Sequence, residues 1–235
     1  MSIIIGDIHG ESYWKGILKN NWNKKDHVFF LGDYCDSHTK TGRQCIDNMK
    51  ELFELANANP ETIHLCVGNH DFHYMNICSD VYSGYNRTFA SEYFDILSQY
   101  SHLLEIGYIV EVESTLTKYL ITHAGVTNTF LTENNLTIET FQDAWKETPE
   151  IFRFNFKAEP FGGYGEHIAH SPLWVRPNAL IKDAVKGYIQ IVGHTFKPEP
   201  IAYTDNLFIV CTHKENNFIT TKLKDKLITR DKGES

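Results

Sequence analysis

Short apolar runs in this sequence end, one after another, in a glycine or threonine followed by a residue that can bind a metal or move a proton. Gly6-Asp7-Ile8-His9-Gly10 follows Ser2-Ile3-Ile4-Ile5, and Gly32-Asp33-Tyr34-Cys35-Asp36 follows His27-Val28-Phe29-Phe30-Leu31. Gly68-Asn69-His70-Asp71 follows Ile63-His64-Leu65-Cys66-Val67. Later, Thr122-His123-Ala124-Gly125 closes a run at Lys118 to Ile121, and Gly193-His194-Thr195 closes one at Tyr188 to Val192. Asp7 and His9 stand two apart on extended chain and can share a face. Carboxylate and imidazole together suit a divalent cation. The strand-end set is Asp7, His9, Asp33, Asn69, His70, His123 and His194. Two histidines and an aspartate suffice for one ion, and a set of this size points to two ions sharing one carboxylate. In two-metal sites the ions lie about 3.5 to 4 Å apart, clamp a phosphate oxygen and acidify a bridging water into the nucleophile. Donors of oxygen and imidazole without thiolate favour manganese, iron, zinc or magnesium-like ions over a closed structural zinc site.

These residues can meet only if the elements before them bring their ends to one place. β-Branched runs cut off by glycine read as buried strands. Between the first three lie helical patterns: Ser12 to Trp22, with Tyr13, Ile17 and Leu18 on one stripe, and Thr41 to Ala58, with Cys45, Ile46, Met49, Leu52, Phe53 and Leu55 on one face, stopped before Pro60. Strands alternating with helices imply a largely parallel sheet whose carboxyl-end loops gather on one edge, the usual place for chemistry. Phe72 to Leu104 is aromatic-rich and helical in its second half. Ile106 to Glu113 and Lys118 to Ile121 read as strands of a second, more antiparallel layer. Thr137 to Glu147 reads as a helix capped by Thr137 with Phe141, Ala144 and Trp145 inward. Residues 149 to 178 carry Pro149, Pro160, Phe161-Gly162-Gly163, His167, His170, Trp174 and Arg176 and read as a long functional loop. Strands at Tyr188 to Val192, Pro200 to Tyr203, Leu207 to Cys211 and Phe218 to Leu223 close the fold, followed by a frayed charged tail over 229–235.

A chain of 235 residues, 42% hydrophobic and 22% charged, fits one domain, 1–235. Its net charge of -8 argues against a general basic surface for holding nucleic acid. Five cysteines, an odd number without C-x-x-C pairing, read as reduced thiols. Met1 is followed by neither a basic n-region nor an apolar stretch of bilayer length, so the expectation is a soluble cytoplasmic protein with no membrane partner.

The five blocks, in this order and over nearly the whole chain, resemble the calcineurin-like metallophosphoesterases, and within them the phosphoprotein phosphatase branch. The chain's size and its Leu173-Trp174-Val175-Arg176 block look most like bacterial and phage members, of the kind that includes the lambda phage-type protein phosphatases and the symmetrical diadenosine tetraphosphate hydrolases. That places it in a bacterial or phage-infected cytosol. The resemblance implies a pair of facing mixed β-sheets flanked by helices, a four-layer α/β sandwich (α+β by some schemes). It makes Asp7 and His9 ligands of one metal, Asp33 the bridging carboxylate, and Asn69, His123 and His194 ligands of the other. His70 becomes the general acid, oriented by Asp36. Arg176, with Asn69 beside it, takes the substrate phosphate. The cofactor is two divalent ions, manganese first, with iron, zinc, nickel or magnesium as alternatives.

Two positions depart from the branch. Its second block carries a phosphate-binding arginine after the second aspartate, where this chain has Ser37-His38, leaving Arg43, His38 or a lysine as replacements. The wider class often ends in Gly-His-x-His, where this chain has Phe196. The function implied is hydrolysis of a phosphomonoester without a covalent phosphoenzyme. Phosphoserine or phosphothreonine protein is the first substrate, and a dinucleoside polyphosphate or 2′,3′-cyclic phosphate the alternative. A tyrosine-lined cleft favours the nucleotide and a shallow open groove the protein. The rival of another class is a metal-dependent phosphate-binding module that does not turn over. Tyr34, Tyr74, Tyr82, Tyr85 and Tyr164 could stack on a base or fill the core. His38, His73, His167 and His170 read as surface or supporting groups, Cys35 as a packed residue, Glu166 as a rival partner for Arg176, and Lys222, Lys224 and Lys226 as a charged sheet edge.

Overall fold

The computed structural model describes residues 2–112, 115–159, 164–212, 217–221 and 226–227. Phe161-Gly162-Gly163, Lys222, Lys224 and the tail 229–235 lie outside them. Three strands, β1 (Ser2–Ile5), β2 (His27–Phe30) and β3 (Ile63–Cys66), run parallel, connected by helices α1 (Tyr13–Asn21) and α2 (Gly42–Ala58). Thr41 caps α2 in a capping box with Gln44, which satisfies backbone donors at its first turn. After a single turn, α3 (Asn69–Phe72), and helix α4 (Ala90–Gln99), the short β4 (Leu104–Glu105) joins β3.

The second sheet begins with the antiparallel pair β5 (Gly107–Val112) and β6 (Thr117–Thr122). Helices α5 (Asn128–Glu133), α6 (Phe141–Glu147) and α7 (Pro177–Asp183) precede β7 (Tyr188–Val192), which runs parallel to β6. β8 (Ile201–Thr204) and β9 (Leu207–Ile209) extend it. The chain then returns through β10 (Phe218–Thr221) to pair antiparallel with β1, and β11 (Lys226–Leu227) edges the second sheet beside β5. The strand orders are β10-β1-β2-β3-β4 and β11-β5-β6-β7-β9-β8.

Alternation along the strands builds the layers. Ile3, Ile5, Val28, Phe30, Ile63 and Leu65 point away from the second sheet into a core closed by Trp14, Ile17 and Leu18 of α1 and by Ile46, Met49, Leu52 and Phe53 of α2. The opposite parity, Ile4, Phe29, Leu31 and Cys66, packs against Tyr108, Val110, Ile121 and Ile191 between the sheets. Val192, Leu207 and Ile209 bury the outer face of the second sheet under Ala179 and Leu180 of α7. The result is the expected two mixed sheets flanked by helices. Because β1, β2 and β3 are parallel, and β6 and β7 are parallel, the five chemistry-bearing turns all leave strand carboxyl ends.

The structure shortens one expected helix. Residues 137–140 form a turn, with the Thr137 amide donating to Thr140 Oγ1 at 2.9 Å, and helix begins only at Phe141. A threonine hydroxyl bonded to nearby backbone competes with the first helical turn. Phe141, Ala144 and Trp145 are buried as the periodicity demands. The 149–178 segment is not all loop: Pro149–Phe152 is a 3-10 turn, and α7 begins at Pro177.

One buried polar group faces the inter-sheet core. His64 stacks on Phe29, with centroids 4.7 Å apart, and its Nε2 lies 2.8 Å from His27 Nδ1. Burial, then His27, depress its pKa to about 3. A histidine depressed in the fold stabilises fully above its unfolded value near 6.5 and loses that contribution as pH falls toward the folded value. In His64→Phe, stability from urea unfolding at pH 7, 6, 5 and 4 is expected to fall less steeply than in the wild type, by up to about 1 kcal/mol per pH unit. Parallel profiles would show that His64 does not titrate in this way.

Candidate metal centre and active-site cleft

Four of the site residues sit in a backbone region that L-residues avoid. His9, Asp33, Asp36 and His194 have φ of 45°, 54°, 57° and 59°. Each such position costs about 1 to 2 kcal/mol unless surrounding structure imposes it. Here hydrogen bonds between the turns impose it. The His9 amide donates to the Asp33 carbonyl at 2.6 Å, and the His70 amide to Asp33 Oδ1 at 2.9 Å. The His194 amide donates to Asp7 Oδ1 at 3.0 Å. The carboxylate of Asp71, wholly buried, accepts from the amides of Asp33, Tyr34, Cys35 and Gly68 at 2.8 to 3.0 Å. Glycine is required where one turn touches another. A Cβ at Gly68 would strike the Asp33 carboxylate, and one at Gly193 the Asp7 carboxylate.

Two groups of donor atoms result. Asp7, His9 and Asp33 bring ligand atoms within 4.8 Å of one another. His9 Nδ1 lies 3.2 Å from the Asp36 carbonyl, which fixes a proton there and leaves Nε2 as an acceptor, 3.5 Å from Asp33 Oδ2. His123 repeats the arrangement: Nδ1 donates to the Leu31 carbonyl at 2.8 Å, leaving Nε2 free to ligate. That Nε2 faces Asn69 Oδ1 at 2.9 Å, His194 Nδ1 at 3.1 Å and Asp33 Oδ2 at 3.5 Å. Asp33 Oδ2 therefore lies equally far, at 3.5 Å, from Nε2 of His9 and Nε2 of His123, where a shared ligand would stand.

The electrostatics agree with the geometry. Burial works against ionising Asp33, but His123, His70 and His9 outweigh it and hold its pKa well below the usual carboxylate range. Burial, then the Arg176 charge, push His194 well down, so its ring is neutral and can ligate. The facing lone pairs of the buried His123 Nε2, Asn69 Oδ1 and Asp33 Oδ2 repel unless a cation lies among them. The donor set fits two divalent ions.

His70, expected as the acid, places Nδ1 3.0 Å from Asp36 Oδ2. Burial alone would depress His70, but the charges of Asp33 and Asp36 and the Asp36 hydrogen bond raise its pKa to about 9. Asp36 is held below the usual range: burial opposes its charge, and hydrogen bonds from His70, His73 and Tyr74 overcome that opposition. Asp36, His70 and His73 also gather within ligand distance of one another. His73 Nδ1 accepts from the Tyr82 amide at 3.3 Å, so the proton sits on Nε2, which donates to Asp36 at 2.9 Å. That trio is a hydrogen-bonded network.

A cleft of about 420 Å³ opens over Asp7, His9, Asp33, Asn69, His70 and His194. Arg176 lines it, held by Nε to the Tyr164 carbonyl at 2.8 Å and by Nη1 to the His194 carbonyl and Thr195 Oγ1, both at 3.2 Å. Glu166 is not among the partners found for it. The candidates for the missing second arginine are occupied elsewhere or exposed: Arg43 forks onto Glu92 at 2.7 and 2.8 Å, Lys40 pairs with Glu11 at 3.1 Å, and His38 is exposed. Apart from Ser83, the rest of the described wall is aromatic. Tyr82, Phe154 and Trp174 form the inside, and Phe156, Tyr164 and Phe196 the rim, at 48%, 79% and 54% exposure.

Other sequence candidates fall elsewhere. Tyr34 is core, with its hydroxyl on the Cys66 carbonyl, and Tyr85 stacks on Tyr74. Cys35 is buried beside Met49, and none of the five cysteines forms a disulfide. His167 is exposed, whereas His170 is buried against Phe154. The sequence did not single out Asp71, or Tyr74 and His73 as partners of Asp36, or the phenylalanines of the cleft. Local spacing carries no sign of any of them.

The sequence matches the calcineurin-like phosphoesterase family over residues 2–214, and the chain belongs to that family. It is a metal-dependent phosphoesterase, and the family implies a dinuclear divalent-metal site, which the donor set fits. Its fold is that of a protein serine/threonine phosphatase from Saccharomyces cerevisiae with similarity to human phosphatase PP5 (TM-score 0.58, 15% identity, 92% of this chain and 68% of that chain covered). A phosphopantetheinyl hydrolase from Mycobacterium tuberculosis superposes more loosely (TM-score 0.38, 10% identity, 100% and 97% covered) and adds nothing to the assignment. No helix among the described residues is long and apolar enough to cross a membrane.

The place of Asp33 between the two donor groups has a direct consequence. Asp33→Asn is expected to hold at most one ion per chain, against two in the wild type, by elemental analysis after manganese loading and desalting, with far-UV circular dichroism unchanged. Two ions retained would show that Asp33 is not shared.

Proposed function

We propose that this phosphoesterase hydrolyses nucleotides, with a base-bearing leaving group lying in the aromatic cleft beside the metal centre. The aromatic wall carries this reading. Six aromatic side chains lining the 420 Å³ cleft offer flat apolar surface for a base, while among the described residues Arg176 is the one arginine that lines it. A phosphoserine side chain would leave most of that surface uncovered. The protein-phosphatase reading is the other outcome of the same test.

Within this reading Asp7, His9 and Asp33 hold one ion, and Asp33, Asn69, His123 and His194 the other. The ions, when bound, supply Lewis acidity that polarises the phosphate and lowers the pKa of water. Manganese is the expected metal, since oxygen and imidazole donors without thiolate suit it, with iron, zinc, nickel and magnesium as alternatives. Arg176 is anchored on one side by backbone carbonyls and Thr195, which orients its planar fork toward the phosphate beside Asn69. His70 lines the cleft with Nδ1 engaged by Asp36, so Nε2 carries the proton that the leaving oxygen takes as its bond to phosphorus breaks. A binding module would need neither this pair nor its orientation.

The test is hydrolysis, with manganese, of a dinucleoside tetraphosphate, 2′,3′-cyclic AMP, a phosphoserine peptide, p-nitrophenyl phosphate and bis-p-nitrophenyl phosphate. The nucleotides are expected to lead in kcat/KM, and His70→Asn to lower their kcat by about two to four decades with two ions still bound. A leading phosphoserine peptide would move the assignment to protein, and no turnover with any metal would restore the binding module.

A further inference from the structure

The acid pair is covered by a short strap of chain that nothing in the sequence marked. Asp36 accepts three side-chain hydrogen bonds, from His70 Nδ1 at 3.0 Å and His73 Nε2 at 2.9 Å on Oδ2, and from the Tyr74 hydroxyl at 2.5 Å on Oδ1. His73 and Tyr74 are buried and are themselves stitched to residues 82–86. The Tyr82 amide donates to His73 Nδ1 at 3.3 Å, and the Asn86 amide to the Tyr74 hydroxyl at 2.6 Å. The rings interlock as well: His73 lies parallel to Tyr82 with centroids 5.9 Å apart, and Tyr85 stacks on Tyr74 at 4.9 Å.

Between the two stitches, Gly84 bends over the pair at φ +94°, so close that an added Cβ would lie 3.1 Å from Asp36 Oδ2 and 3.2 Å from the His70 ring. Only glycine takes this backbone conformation without strain and leaves that space open. The strap thus fixes the proton of His73 on the nitrogen that faces Asp36. Tyr82 at its start is part of the cleft wall and in contact with Trp174, with centroids 4.4 Å apart.

We propose that His73, locked by the 82–86 strap, is a positioning residue that holds Asp36, and through it His70, in the orientation from which the proton reaches the leaving oxygen. Asp36 sits at a strained left-handed position, and His70 touches it by one nitrogen only. Without the His73 bond, one of three restraints on that carboxylate is gone, and it is the one that shares Oδ2 with His70. This inference rests on His70 being the acid.

The experiment compares p-nitrophenyl phosphate, whose leaving group departs without help, with phenyl phosphate, whose leaving group needs the proton. Both rings suit the same cleft. In the manganese-loaded protein His73→Phe keeps the ring and removes both hydrogen bonds. It is expected to lower kcat on phenyl phosphate about tenfold or more while p-nitrophenyl phosphate changes by less than about threefold, with KM and metal content unchanged. Paired with His70→Asn it should add no further loss, and His73→Gln, which can still donate to Asp36, should recover most of the rate. Gly84→Ala presses on the pair from the strap and is expected to reproduce the leaving-group dependence, so the inference remains exposed if His73→Phe does not fold. Equal losses on both substrates, or an additive double variant, would reduce His73 to a packing residue. If His70→Asn itself shows no leaving-group dependence, the acid assignment falls first; if it does and the His73 and Gly84 variants do not, only the strap's role falls.

Discussion

The site depends on one buried carboxylate that is neither at the metal centre nor in the cleft. Asp71 accepts four backbone amides from two different strand ends, Asp33, Tyr34 and Cys35 after β2 and Gly68 before α3. A carboxylate has about four lone-pair positions, and all four are used. Charge-assisted bonds of this kind are roughly twice as strong as neutral ones, and their geometry draws the two turns to a fixed separation. Everything at the centre inherits that separation. Asp33 is placed between the Nε2 atoms of His9 and His123, Asn69 is turned to face His123 and His194, and His70 is set beside Asp36. Burial and the neighbouring Asp33 charge both push the pKa of Asp71 up, and the amides of Gly68 and Cys35 pull against them. A clamp built from fixed dipoles thus keeps a second buried carboxylate next to the first.

What could be read from the sequence follows from how far each signal reaches along the chain. β-Branched runs ended by glycine marked β1, β2 and β3, and a seventeen-residue amphipathic stripe marked α2, because those patterns repeat within one element. The six metal-ligand candidates, His70, Asp36 and Arg176 were all legible as blocks, and the structure brings them to one edge. The pieces that were missed lack such repetition. α3 is a single turn, β4 has two residues, and both form because of what they meet in space. α6 was read four residues too long because Thr137 looks like a cap, whereas the Thr140 hydroxyl closes a turn back onto it. His73 is a still clearer case. By spacing it is one more histidine after a ligand block, and only the Tyr82 amide, nine residues on, decides which nitrogen carries its proton.

The absence of an arginine after Asp36 and the presence of the aromatic cleft are best understood together. An arginine there would put a second planar cation over the phosphate, which suits a doubly charged monoester bound mainly by its phosphoryl oxygens. In this chain Ser37 instead accepts from the Lys40 amide in a tight turn, and Arg43 further on is spent on Glu92. Binding free energy that the phosphate contacts do not provide has to come from the rest of the ligand. Tyr82, Phe154 and Trp174, packed against one another with centroids 4.4 and 5.2 Å apart, form a rigid apolar surface able to provide it. A site of this kind discriminates by what the phosphate is attached to.

The same reasoning explains why strain collects where it does. Among the described non-glycine residues at positive φ, His9, Asp33, Asp36 and His194 form one contiguous group around the metal centre. Each left-handed residue reverses the chain in the turn that follows a strand, and so turns its side chain back over the sheet edge toward its neighbours. Relaxing any one of them would release the strain but carry a donor atom out of the group. The cation and the backbone are therefore coupled. Hydrogen bonds among the turns hold the donors close enough to repel one another, and an ion bound between them converts that repulsion into attraction. The strain is maintained by the Asp71 clamp on one side and the Asp7 to His194 bond on the other, and neither involves the aromatic side chains of the cleft. The cleft wall is therefore free to differ in shape and chemistry without loosening the metal centre.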